Sequence, residues 1–216
     1  MIGLMPAGEH YMIDLYFAPT ANGLRATVVM EETALPYTLH RVNLQKGEQN
    51  TPEFRAINPA GLIPVIVDSQ GPNGKPITLN QSGAIVLYCA GKSGKFIPDD
   101  PATRSLAMQY FMQAASDISG TSMTIFRLEA TAPEKSAANV DYFKQRLKDA
   151  FLVCERALQD SEYLAGELTV ADLMLYPSFA MRRSLVEHDE GYENLRRWAD
   201  NMASRPAIAR AMALTG

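Results

Sequence analysis

The first apolar run of the chain, Met12-Ile13-Asp14-Leu15-Tyr16-Phe17, is short and closed by Pro19, and predicts a strand. From Asn22 to Ala34 the apolar residues Leu24, Val28, Val29 and Met30 fall at helical spacing. Tyr37 to Leu44 alternates well enough for a second strand. Thr51 then reads as a helix cap, with Pro52 at the first helical position. Ile63 to Val67 predicts a third strand and Pro76 to Leu79 a fourth, joined through the turn residues Gly71-Pro72-Asn73-Gly74. Gln81 to Ala90 has the pattern of a helix. The order is βαβ, a short helix, then ββα.

Beyond this point strand signals fade. Residues 91–101 are rich in Gly, Pro and charge and read as a linker. Thr103 to Ala130 is helical with a weak point at Ser119-Gly120, and Glu134 to Leu158 is a long amphipathic helix. Thr169 with Asp172 three residues on, flanked by Leu168 and Leu173, marks a capped helix running to about Arg183. Two shorter helices, Tyr192 to Ala203 and Pro206 to Met212, complete the pattern. The division expected is a floppy N-terminus (1–11), an α/β unit (12–92), a linker (93–102) and an all-α unit (103–216).

Composition narrows the function classes. A chain of 216 residues with 47% hydrophobic and 20% charged positions is ordinary globular material. Its net charge of −4, without a basic stripe, argues against nucleic acid. No apolar run approaches the roughly 18 residues of a membrane span. The first ten residues lack the features of a signal peptide. Cys89 and Cys154 form neither a CxxC pair nor a disulfide framework, so both read as small buried hydrophobes in a reducing cytoplasm. His10, His40 and His188 have no metal-ligand spacing, and no metal is expected.

The chemistry concentrates in two segments. A proline before an apolar strand has no N–H for the ladder, and a cis Ile63–Pro64 bond would turn the main chain of Ile63 outward toward an extended peptide. Downstream, the helix start at Gln81-Ser82-Gly83 supplies unpaired N–H groups and a positive dipole end, suited to a carboxylate. Together they describe a site for a short acidic peptide.

These segments, with the Leu168-Thr169-Val170-Ala171-Asp172 cap, Trp198 and Arg205-Pro206, resemble the cytosolic glutathione transferase family from about Met12 to Met212. The resemblance implies a thioredoxin-like α/β N-terminal domain, an all-α C-terminal domain, glutathione as cosubstrate and a homodimer. Thr20-Ala21-Asn22-Gly23, Gln49 and Arg127 are similar to the bacterial Nu-type group, associated with reduction of disulfides and peroxides more than with conjugation. Two positions depart from that group: Leu62 stands where lysine is common and Gln81 where glutamate is common.

On this resemblance each residue carries two readings. Ser82 and the helix-start N–H groups would take the γ-glutamyl carboxylate, and Gln81 its amine. Ile63 and Pro64 would clamp the cysteinyl residue, and Gln49 would reach the glycine carboxylate. Thr20 and Asn22, where the first strand meets the first helix, would hold the thiol ionised, below its free value of about 8.5. The same two residue types also suit an N-cap. Tyr16 is the alternative catalytic hydroxyl, with core packing as its competing role. Arg127 is either a cation over the pocket or a partner for neighbouring acids such as Glu129. Met108, Met112 and Met123 read chiefly as core, and Tyr110, Phe111 and Phe126 as apolar lining for a second substrate. The expected function is a glutathione-dependent transferase or reductase acting on a disulfide, peroxide or electrophilic carbon. The competing class is a non-enzymatic binding or scaffold protein whose glutathione site has degenerated through Leu62 and Gln81.

Overall fold

A computed structural model describes residues 13–214 of the chain, so the readings of residues 1–11, Met12 and His10 lie outside the described residues. Strand β1 (Ile13–Phe17) pairs in parallel with β2 (Tyr37–Arg41) across helix α1 (Ala21–Thr33). Short helix α2 (Pro52–Ile57) leads to β3 (Val65–Asp68) and β4 (Ile77–Asn80), both antiparallel to their neighbours. The sheet order is β2-β1-β3-β4, and α3 (Ser82–Ser93) closes this half.

Strand alternation sorts the two sheet faces. Ile13, Leu15, Phe17 and Ile66 join the main core, whereas Tyr16 and Val65 join a smaller cluster with Phe54 of α2 and Val42. Thr51 caps α2 by accepting the Phe54 N–H at 3.3 Å. Strand β2 stops at Arg41 rather than Leu44, because the Asn43 side chain takes the Lys46 N–H and turns the chain. Strand β3 begins at Val65, just past the Pro64 ring that has no N–H to pair. Helix α3 runs three residues beyond Ala90 into the stretch read as a linker, until Gly94 ends it at φ 69°.

The remaining chain is helical. Asp100 caps α4 (Pro101–Met112) by accepting the Thr103 N–H at 2.8 Å. The single helix expected over 103–130 is instead α4, a π-helical turn (Gln113–Ile118), α5 (Ser119–Phe126) and a second π turn (Arg127–Thr131). The weak point at Ser119 closes the first π turn, where its hydroxyl donates to the Ala114 carbonyl at 2.6 Å. Helix α6 (Ala137–Ala157) starts at the Ser136 cap, three residues later than Glu134. Then follow α7 (Val170–Arg182), α8 (Glu193–Ser204) and α9 (Pro206–Ala213).

Helix α1 is the wedge of the molecule. Leu24, Val28, Val29 and Met30 are buried, and the helix packs against α3, α7 and α9. One apolar core therefore runs from the sheet to Phe151, Phe179 and Trp198. Among the described residues, no helix is long and apolar enough to cross a membrane.

Candidate functional site

The N-terminus of α1 and that of α3 open on one cleft. Residues from β1 to α1 reverse tightly: a Cβ on Gly23 would lie 2.0 Å from the Ala18 carbonyl oxygen, so only glycine lets the helix start this close. Thr20 is the N-cap, and its hydroxyl oxygen accepts the Gly23 N–H at 3.2 Å. That bond uses a lone pair and leaves the hydroxyl hydrogen to donate elsewhere. The cap and donor readings of Thr20 are thus compatible.

Helix α3 starts without a side-chain cap. Gln81 precedes it at φ 71°, a left-handed conformation that costs a non-glycine residue about 1–3 kcal/mol. The first N–H groups of α3, at Ser82, Gly83 and Ala84, border the cleft, as does the cis Ile63–Pro64 bond. Buried Asn58 shapes the intervening turn: its amide donates to the Leu62 carbonyl at 2.7 Å, and its oxygen accepts the Ala60 N–H at 3.2 Å.

The cleft encloses about 600 Å³ between these segments and the helical half, where Phe111, Ser119, Met123, Arg127 and Met174 form the opposite wall. A second cavity of about 390 Å³ adjoins it, lined by Pro19, Thr20, Phe126, Met181 and Arg182 among others. Asn22, Arg25, Ser119 and Met123 belong to both walls. A third hollow of about 670 Å³, with Asp117, Tyr142, Phe143 and Arg146, lies between α5 and α6 and shares only Gly120 with the cleft.

Most of the sequence-derived candidates meet here. Asn22, Ile63, Pro64, Gln81, Ser82 and Arg127 line the cleft, and Thr20 lines the adjoining cavity. Arg127 has no ion-pair partner among the described residues, because Glu129 is taken by Lys144 at 2.9 Å and Arg182 at 3.7 Å. Gln49 lies outside the cleft lining; its main chain packs behind Gly61, and its Oε1 is buried without a hydrogen-bond partner among the described residues. Tyr16 borders neither cavity. It stacks on His40 with centroids 4.8 Å apart, and burial first, then Asp14, raises its pKa. Phe111 and Phe126 line the two cavities respectively, while Tyr110 packs against the core. Met123 lines both cavities, Met108 packs against the core, and Met112 is exposed. Leu62 stands 60% exposed on the cleft wall.

Arg25 is the residue sequence reasoning missed. It is 1% exposed on α1 and donates to the Met174 carbonyl at 2.9 Å, to Ser82 Oγ at 3.2 Å, and to Asn22 Oδ1, Ser119 Oγ and Ser178 Oγ. One signal was available: it is the only charge between Asp14 and Glu31, set in an apolar helical stretch. Cys89 and Cys154 are buried free thiols, both pushed up to about 12 by burial. Among the described residues no group of three or more His, Cys, Asp or Glu gathers as a metal site.

Comparison with known proteins places this geometry. Residues 21–91 match the family model for the glutathione S-transferase N-terminal domain, and residues 103–206 that for its C-terminal domain. The chain is 33% identical to the disulfide-bond oxidoreductase YfcG of Escherichia coli, over 93% of this chain and 94% of that protein. Among solved structures it resembles a glutathione transferase from Pseudomonas putida with one glutathione disulfide bound per subunit, at 30% identity and a TM-score of 0.87, covering 98% of this chain and 95% of that one. A glutathione transferase from Burkholderia graminis with two glutathione molecules per subunit aligns at 32% identity and a TM-score of 0.86, over 96% and 90% of the two chains. An α/β half of thioredoxin-like order, an all-helical half and relatives matched from end to end leave one assignment: the chain belongs to the glutathione S-transferase family.

Proposed function

We propose that this protein is a glutathione-dependent enzyme that reduces disulfides, with conjugation to electrophilic carbon as a weaker activity. The observation that carries the reading is the junction of the two cavities at Asn22. One cavity is bordered by an uncapped helix start and suits an anionic peptide; the other offers Thr20 beside the apolar side chains of Met123, Phe126 and Met181. Such a pair of chambers seats a thiol donor on one side and its reaction partner on the other. The relatives known with glutathione or its disulfide bound agree with this choice.

In this reading Ser82 and the first N–H groups of α3 hold the γ-glutamyl carboxylate, Gln81 its amine, and Ile63 and Pro64 the cysteinyl unit. Arg127, without an ion-pair partner among the described residues, is a cation on the opposite wall, and Gln49 approaches the glycine end from behind Gly61. Thr20 and Asn22 then face the sulfur, where the positive end of α1 and hydrogen-bond donors favour thiolate over thiol. The protein's own cysteines are buried and protonated at neutral pH, so the nucleophile comes from the cosubstrate.

The chemistry is two exchanges. The bound thiolate attacks one sulfur of a disulfide, forming a mixed disulfide and expelling the other half as a thiolate that takes up a proton. A second glutathione thiolate attacks the mixed disulfide, giving glutathione disulfide and the second reduced thiol. We also propose the division into residues 12–92 and 103–216 around a 93–102 linker, a homodimer and a cytoplasmic setting.

Calorimetry with reduced and oxidised glutathione, followed by turnover of bis(2-hydroxyethyl) disulfide and of an aryl halide, tests the reading. Binding with faster disulfide turnover is expected. Absence of heat at millimolar glutathione would overturn it in favour of a scaffold whose site has been lost through Leu62 and Gln81.

A further inference from the structure

Arg25 has an unusual hydrogen-bond inventory. A guanidinium carries five N–H donors and no acceptor. Here all five are used: Nε on Met174 O, Nη1 on Asn22 Oδ1 and Ser82 Oγ, Nη2 on Ser119 Oγ and Ser178 Oγ. Every partner is neutral, and no carboxylate pairs with Arg25 among the described residues. Burial lowers its pKa to about 10, so the group stays charged at neutral pH. A buried cation with donors satisfied but charge uncompensated is a source of positive potential, and it lies on the shared wall of both cavities.

The second consequence is directional. Because Arg25 offers only hydrogens, each partner must turn an oxygen toward it. Asn22 therefore presents its amide NH₂, not its oxygen, away from Arg25. Ser82, whose lone pair is occupied at 3.2 Å, keeps its hydroxyl hydrogen for the cleft. Ser119 cannot do the same, since its hydrogen is committed to the Ala114 carbonyl at 2.6 Å. Ser119 is a brace that fixes the guanidinium plane from across the cleft.

We propose that Arg25 is the positioning residue of the site: it sets the polarity of Asn22 and Ser82 so that both offer hydrogens to the cleft, and its unpaired charge makes their junction a seat for an anion, the glutathione thiolate. The inference rests on the glutathione reading above. Arg25 does not touch the sulfur; it acts through Asn22 and through its field.

The test is a pH titration of the thiolate absorbance of bound glutathione in the wild type, Arg25→Lys, Asn22→Ala and the double variant, with affinity measured alongside. Wild type is expected to bind glutathione with its thiol at least one pK unit below the free value. Arg25→Lys keeps a charge but loses the planar fork, so the bound thiol rises by about one unit, a tenfold fall in the thiolate-to-thiol ratio at a given pH, with affinity changed less. The double variant is expected to titrate no more than a few tenths of a unit above Asn22→Ala, since one residue acts through the other. Arg25→Lys that lowers the melting temperature but leaves the thiol pKa unmoved would overturn the inference and spare the glutathione reading; a wild type that binds no glutathione overturns both. Should Arg25→Lys fail to fold, Asn22→Asp decides. It is isosteric and pairs with Arg25, so the protein is expected to melt no lower than wild type while thiolate falls more than tenfold. Asn22→Asp that melts lower than wild type, or that keeps the thiolate, overturns the proposal.

Discussion

A thiol-dependent reaction run by a protein with two cysteines raises the question of whose sulfur reacts. Cys89 and Cys154 are 0% and 1% exposed, and burial pushes both up to about 12. Iodoacetamide at pH 7.5 should leave both unlabelled in the folded chain over hours, as mass spectrometry would show. A double Cys→Ala variant should keep disulfide turnover within about twofold, at a stability cost of about 1–2 kcal/mol for the lost sulfur volume. Loss of turnover in a folded double variant would place a protein thiol in the cycle. At this scale the legible residues were those whose meaning is local. Thr20, Asn22, Pro64 and Ser82 sit at chain reversals and helix starts, where type and position bring them to the walls of the two cavities. Arg25 was not legible because four of its five partners lie 57, 94, 149 and 153 residues away, and no local pattern reports them. Gln49 and Tyr16 show the opposite limit: their types suited the task, but the turn and the sheet face place both outside the lining of the two cavities.

Two element-level devices hold the site walls in place. The first is the tight entry to α1. Gly23→Ala would drive a methyl group against the Ala18 carbonyl, 2.0 Å away, and backbone cannot yield as a side-chain tip can. The expected result is a loss of about 1–3 kcal/mol in denaturant unfolding and a larger loss of turnover, because Thr20 and Asn22 move with the helix start. The second is the Thr169–Asp172 capping box of α7. Asp172 also accepts from Leu164 N–H at 3.1 Å and Trp198 Nε1 at 3.0 Å. Burial raises its pKa from 3.8 to about 6 despite those donors. A carboxyl raised on folding contributes stability that is complete below its unfolded pKa and lost as pH rises through its folded one. Stability due to Asp172 should therefore fall between about pH 4 and 6, by about 2–3 kcal/mol at about 1.4 kcal/mol per unit. Asp172→Asn cannot titrate, so the wild-type minus variant difference in unfolding free energy should shrink over that window; a flat or growing difference refutes the assignment. Helix and strand existence was legible from periodicity, and ends shifted where a side chain intervened, as at Asn43, Asp100 and Ser136. The two π turns were not legible: an extra residue per turn leaves the apolar spacing helical, and only the Ser119 weak point hinted at the first.

Across the whole molecule the sheet half and the helical half share one core, and this has a thermodynamic consequence. Helix α1 belongs to the first half by sequence, yet its buried face packs on α7 and α9, and Arg205 clasps the nearly buried Glu32 through bonds of 2.6 and 2.9 Å. Neither half can unfold without exposing the other's apolar surface, so heating should give one calorimetric transition with equal calorimetric and van't Hoff enthalpies. Residues 1–95 alone should show no cooperative melt, since that cut uncovers the outer face of α1. The cleft makes the same demand, because Ser82 and Pro64 face Phe111 and Arg127 from opposite halves. A ligand held between them stabilises the unit as a whole, by about 2.7 kcal/mol at a hundredfold excess over its dissociation constant. Glutathione at that excess should therefore shift the single transition upward without splitting it. Two resolved transitions, with only the lower one responding to glutathione, would mean that the cleft belongs to one half and that α1 does not couple them.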